Sequence, residues 1–155
     1  IVVATGAAPF DTLQVADLGD VPINTYSLDK SLPIISAFYE RVLAVDKAPL
    51  DPAVDALPGV AWLQGSAFGV DPAAVSERLG GAPSWVCCDV ACYPERLFGL
   101  LERWRSLSPA PAVVCTVKLQ GLTDHSVTDR LRALPGARLT HLFHNRHELT
   151  LLFDS

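Results

Sequence analysis

The sequence predicts an α/β domain of the doubly wound, Rossmann-like kind, with a mainly parallel sheet of about seven strands and an antiparallel hairpin at its carboxyl end. Three observations predict it. Continuous apolar runs of strand length alternate with segments of helical period, as expected for strands covered on both faces by crossover helices. Polar residues end four of the runs: Asp17, Asp46, Asp89 and Lys118. Ligands of open parallel sheets bind outside such carboxyl ends. The last two runs are joined only by His144-Asn145-Arg146-His147, which is too short for a parallel crossover.

The elements follow in chain order. Thr12 to Leu18 reads as a strand ending in Asp17-Leu18-Gly19. Ile34 to Arg41 fits a helix with Ile35, Phe38 and Tyr39 on one face, and Val42 to Asp46 a short strand closed by an acid. Val60 to Leu63 is another short strand. Pro72 to Leu79 has proline in its first turn and Gly80-Gly81 after its end, the usual helix punctuation. Trp85 to Asp89 is an apolar run capped by an acid. Pro94 to Leu107 is the clearest helix, because Leu97, Leu100, Leu101 and Trp104 repeat at three and four while the charged residues lie off that stripe. Ser106 to Pro111 is a loop too short to divide domains. Ala112 to Leu119 is a buried strand with one charge, Lys118. Thr123 to Leu134 is a polar amphipathic helix stopped by Pro135-Gly136, and Arg138–Phe143 and Glu148–Phe153 form the closing hairpin.

Composition bounds the rest. A chain of 155 residues has room for one core, so residues 1–155 read as a single domain. Half the residues are hydrophobic and 19% charged, which fits a globular protein and excludes disorder. No apolar run nears the roughly 18–20 residues needed to cross a bilayer, and no basic stretch precedes the apolar start. The domain reads as soluble and intracellular, cytoplasmic or organellar. A net charge of −5 argues against a chain that grips nucleic acid unaided. There is no methionine and the chain begins with Ile1, so it reads as a processed or trimmed piece, or as one from which residues are missing.

Cys87, Cys88, Cys92 and Cys115 lack the paired Cys-x-x-Cys spacing of zinc sites and read as buried, reduced thiols. His141, His144 and His147 read as a half-exposed hairpin rather than a metal site, so no metal is expected.

Several segments together resemble the FtsJ-like ribosomal-RNA 2′-O-ribose methyltransferases. Asp17-Leu18-Gly19-Asp20-Val21-Pro22 is similar to that family's cofactor loop, and Val42 to Leu50 to its second strand, whose acid is Asp46 here. Val60 to Phe68 resembles the third-strand segment, with Ser66 at the adenine-reading position. Trp85 to Val90, followed by Pro94, resembles the catalytic Asp motif; Val117-Lys118-Leu119 resembles the catalytic Lys strand, and His144 to Thr150 the hairpin with the catalytic Glu148. The wording is closest to the RlmM type, which modifies cytidine in large-subunit rRNA. The resemblance spans residues 12 to 153 and is strongest from 42 onward.

The resemblance implies a class I methyltransferase fold and S-adenosylmethionine as cofactor, held by Asp17, Gly19, Pro22, Asp46 and Ser66. It implies RNA as partner, with help from another domain or protein, and Lys118, Asp89 and Glu148 as the catalytic group. A ribose hydroxyl is a poor nucleophile. Lys118 serves as base if its pKa is lowered, with Asp89 and Glu148 orienting it. The departures are specific: Ile23 and Asn24 replace a Gly-Gly pair, Ser66 replaces an acid, no Lys or Arg precedes Lys30, and the stretch from Pro22 to Asp46 is long for the family. They predict weakened cofactor binding. They also keep open a catalytically degenerate protein acting as a ribosome- or RNA-associated structural component. A nucleotide-binding oxidoreductase is disfavoured, because no Gly-x-Gly-x-x-Gly follows the first strand.

Overall fold

The computed structural model describes residues 2–5 (backbone path), 40–119, 125–142, 145 and 147–153. Among these, the strands are β1 (Val2–Thr5), β2 (Arg41–Asp46), β3 (Val60–Gln64), β4 (Trp85–Cys88), β5 (Ala112–Lys118), β6 (Ala137–Thr140) and β7 (Glu148–Phe153). They lie side by side in the order β3-β2-β1-β4-β5-β7-β6. The helices are α1 (Pro52–Asp55), α2 (Pro72–Leu79), α3 (Pro94–Arg105) and α4 (Ser126–Arg132), with a 3₁₀ turn at Ala67–Gly69. The architecture is a mixed α/β sheet compatible with a Rossmann-like fold.

The period of two along β2 shows why it is a central strand. Leu43 and Val45 enter the larger core, while Val42 and Ala44 enter a smaller one with Leu50 and Val54. Both faces of the sheet are therefore buried, as the continuous apolar runs require. Helix α3 contributes Leu97, Phe98, Leu100, Leu101 and Trp104 to the larger core. Side chains of this kind contribute about 1.5–3 kcal/mol each when fully buried. Pro94 starts α3, Glu95 lies in its first turn and Arg103 and Arg105 in its last, matching the helix dipole.

Helix α2 is fixed at both ends. The Asp71 side chain accepts from the Ala73 amide at 3.1 Å, and Gly80 at φ 74° closes the helix, with the Gly80 and Gly81 amides donating back to Glu77 and Ser76. Arg41, on the first residue of β2, donates from Nη1 to the Leu79 carbonyl at 2.7 Å. This contact ties the end of α2 to the start of β2.

The closing strand runs antiparallel to both β5 and β6, as the short hairpin requires. The expectation of a mainly parallel sheet is corrected. Only β2–β3 and β4–β5 are parallel neighbours; β1 is antiparallel to both β2 and β4. Thus β2 to β6 run one way and β1 and β7 the other. Thr5 pairs with Arg41, so the connection from β1 to β2 begins and ends at one edge of the sheet, which makes the two strands antiparallel.

Two expected elements, the strand at Thr12 to Leu18 and most of the helix at Ile34 to Arg41, lie outside the described residues, and Arg41 itself opens β2. The expected strand at Arg138 to Phe143 is shorter and ends at Thr140. Among the described residues, no helix is long and apolar enough to cross a membrane.

Two glycines give opposite expectations. Gly80 has positive φ, and a Cβ there would meet Arg41 Nη1, so Gly80→Ala should cost about 1 kcal/mol or more. Gly99 sits within α3 with open space around it, so Gly99→Ala should stabilise by roughly 0.5–1 kcal/mol. Urea unfolding of both variants checks the pair, and equal effects would contradict the local geometry.

Candidate functional site

The site is created by register. Antiparallel pairing of β5 with β7 sets Lys118 directly opposite Glu148, and the parallel register of β4 with β5 aligns Cys88 with Cys115. Asp89, the residue after Cys88, leaves the sheet at the same edge. Lys118 Nζ stands 3.0 Å from Asp89 Oδ1 and 3.6 Å from Glu148 Oε1. The three side chains are only 22–25% exposed. The sequence-predicted catalytic trio is therefore brought together.

Lys118 ends a strand in which Ala112, Val113, Cys115, Thr116 and Val117 are buried, so the stem is held in the core while the ammonium reaches the edge. Burial pulls its pKa down, but Asp89 and then Glu148 outweigh that pull and hold the pKa above the ordinary 10.5. The condition of a lowered pKa is not met, because two carboxylates surround this cation. Asp89 Oδ1, although at ion-pair distance from the ammonium, is buried and receives no well-directed hydrogen bond among the described residues. Such an acceptor suits an incoming hydroxyl.

Asp46 and Ser66 lie apart from the trio, at the ends of β2 and just beyond β3. Across β1, the end of β2 is about 10 Å from that of β4 at ordinary strand spacing. Asp46 Oδ1 accepts from the Ala48 amide at 2.9 Å, and Ser66 Oγ accepts from the Phe68 amide at 3.3 Å, capping the 3₁₀ turn. Asp17, Gly19 and Pro22 lie outside the described residues.

Of the residues that the resemblance assigns to S-adenosylmethionine, Asp46 and Ser66 are among the described residues. The central strand β1 presents its amino end at the Lys118 edge, with Val2 opposite Ala44 and Cys87. Its last described residue, Thr5, pairs with Arg41 at the far edge. Asp46 and Ser66 each accept one backbone amide of their own turn.

Cys88, Cys92 and Cys115 are buried free thiols, and Cys87 is partly buried. Desolvation pushes Cys88 up to about 12 and Cys115 well above its ordinary value. Among the described residues, no group of His, Cys, Asp and Glu is placed to hold a metal ion.

Sequence reasoning missed β1, although the β-branched run Ile1-Val2-Val3 signalled it. It also missed the aromatic and cationic residues around the site. Arg96 lies 3.9 Å over the ring of Phe68, and Tyr93, at the start of α3, is 53% exposed.

Comparison with known proteins gives two sets of similarity. The chain is 29% identical over 153 residues to ribosomal RNA large subunit methyltransferase M of Chromohalobacter salexigens, covering 91% of this chain and 39% of that protein. It is 28% identical over 120 residues to the protein of the same name from Aromatoleum aromaticum, covering 71% of this chain and 31% of the relative. A shorter similarity links it to guanidinobutyrase of Pseudomonas aeruginosa, 55% identical over 47 residues, which is 30% of this chain and 15% of that enzyme. The chain therefore spans well under half the length of each of these relatives. No family model matches it. Distant relationship to the rRNA methyltransferases M covers most of the chain, and the guanidino-hydrolase likeness less than a third.

The raised pKa of Lys118 has a definite sign. The charged form is favoured by folding, so its contribution to stability is complete at neutral pH and is lost as pH climbs through the folded-state pKa above 10.5. Nζ-detected NMR titration should place the midpoint above 10.5, and Asp89→Asn should lower it. A wild-type midpoint below 10.5 would contradict the ion-pair geometry.

Proposed function

We propose that residues 1–155 are a single class I methyltransferase-like domain of the FtsJ-like group that acts on the 2′-hydroxyl of a ribosomal RNA nucleotide. S-adenosylmethionine is the methyl donor this reading requires, and an intracellular setting with a further RNA-binding domain or protein is part of it. The observation that carries it is the Lys118–Asp89–Glu148 constellation at one sheet edge. Distant similarity to rRNA methyltransferases M over most of the chain supports it.

The residues have distinct tasks. Asp89, whose Oδ1 is buried 3.0 Å from Lys118 Nζ, accepts the hydrogen bond of the ribose hydroxyl. Lys118 donates to the same oxygen and stabilises negative charge as the O–H bond weakens. Glu148 holds the ammonium from the other side. Lys118 takes the proton only in its neutral form, which its raised pKa makes scarce at neutral pH.

One observation favours a second reading. The antiparallel β1 has its last residue, Thr5, at the edge opposite Lys118. A degenerate methyltransferase-fold protein that associates with RNA or the ribosome, without catalysis, has the same trio and needs no donor site.

Single-turnover assays with large-subunit rRNA fragments and labelled S-adenosylmethionine separate the readings. The enzyme reading expects ribose methylation whose rate rises with pH to beyond 10. It also expects Lys118→Met to lose on the order of 10²–10⁴-fold in rate while the melt stays nearly unchanged. A folded wild type that methylates no fragment leaves the second reading in possession.

A further inference from the structure

We propose that Asn145 is a positioning residue for the Lys118 site: through Thr150 it fixes the start of β7 so that Glu148 stands against the ammonium. This rests on the trio as the working site of the reading above and holds with or without catalysis. The register supplies the first step. The Leu119 amide donates to the His147 carbonyl at 3.1 Å, which makes those two residues a hydrogen-bonded pair just beyond the β5–β7 ladder. Hydrogen-bonded and non-hydrogen-bonded pairs alternate along antiparallel strands. Lys118–Glu148 and Thr116–Thr150 are therefore non-hydrogen-bonded pairs, in which facing side chains come closest. Both pairs lie on one face of the sheet, because residues two apart along a strand share a face. Cys115, Val117 and Leu151 enter the larger core from the opposite face.

The second step is a row of hydroxyl-bearing residues next to the trio. Thr116 and Thr150 are buried, and Thr140 at the end of β6 pairs with Thr150 from its other side. Burying a hydroxyl costs stability unless it is hydrogen-bonded. At Thr150 the Asn145 amide offsets that cost, with Nδ2 donating to Oγ1 at 3.1 Å. The backbone amide of Asn145 donates to the Leu142 carbonyl at 3.0 Å, so the residue is held at both ends. Asn145 precedes Glu148 by three residues and Thr150 follows it by two, so the side-chain bond closes the chain around Glu148. Strand ends fray first, and Glu148 is the first residue of β7. Its approach to Lys118 Nζ, 3.6 Å against 3.0 Å for Asp89, depends on that end staying paired.

Nζ-detected NMR titration of Lys118 reads the position of the Glu148 carboxylate. Lys118 is faced by Asp89 and Cys92 from the segment after β4 and by Glu148 from β7, and Arg96 of α3 acts on the same Cys92 thiol. Asn145→Ala and Thr150→Val should each lower the Lys118 midpoint by roughly 0.5 pH unit or more, the scale for a carboxylate drawing back into solvent. Thr150→Ser, which keeps the hydroxyl, should stay at the wild-type midpoint. In a Glu148→Gln background Asn145→Ala should add no further drop, because the carboxylate it positions is gone. Circular dichroism across the same pH range follows folding. Nζ proton exchange at neutral pH, faster once an ion pair is lost, gives the same ordering where alkali unfolds a variant. An unchanged midpoint in Asn145→Ala or Thr150→Val, a Thr150→Ser midpoint as low as that of Thr150→Val, or an equal drop in the Glu148→Gln background would each overturn the positioning role. The expected shifts in a chain that transfers no methyl sink the enzyme reading alone; methyl transfer with an unchanged Asn145→Ala midpoint sinks the positioning role alone.

Discussion

The antiparallel register of β5 and β7 is the constraint on which the site depends. It places Lys118 and Glu148 opposite each other at the last and first residues of paired strands. A slip of one residue would send each side chain to the other face. The slip is resisted by the core, because Val113, Cys115, Val117, Leu151 and Phe153 are all nearly fully buried on the same side of the sheet. Apolar packing along the strands therefore fixes the polar geometry at their ends. Asp89 joins through the neighbouring parallel register, set by the same core.

The reversal of β1 divides the edge into two parts. On one side are Lys118, Asp89 and Glu148; on the other are Asp46 and Ser66, each accepting a backbone amide of its own turn. Between them stands the amino end of a four-residue strand. In an open parallel sheet the loop after the central strand completes the ligand crevice, and here that strand points away. The comparisons are divided as well. A match covering 91% of the chain at 29% identity and another covering 30% at 55% must share residues, since the two together exceed the chain. One stretch of this chain thus resembles proteins of two differently named activities.

Most of the sheet was legible in the sequence, because its strands are long apolar runs closed by a charge and its helices have strong periodicity. Pro72–Leu79 and Glu148–Phe153 were readable to the residue, the first from its proline and glycine punctuation and the second from the short hairpin. Strand direction was not legible. A four-residue run such as Val2–Thr5 carries no information about the edge at which its chain returns, and Arg41 belongs equally well to a helical pattern or to the strand that follows. The trio was legible by position, but its electrostatics were not. Whether burial or the carboxylates dominate at Lys118 depends on distances that only the folded registers set.

Those electrostatics restrict the chemistry of the site. A lysine between two carboxylates is held charged, oriented and stable, which suits a hydrogen-bond donor and opposes a free base. On the proposed reading, a ribose hydroxyl would meet an ammonium that donates and a buried Asp89 oxygen that accepts, so its recognition would need no change of protonation. Proton removal does need one. It requires the ammonium to lose a proton against two negative neighbours, or the approach of the ligand to draw a carboxylate away. Binding and catalysis thus make opposite demands on the same ion pairs. The ion pairs at Lys118 favour the demand of binding.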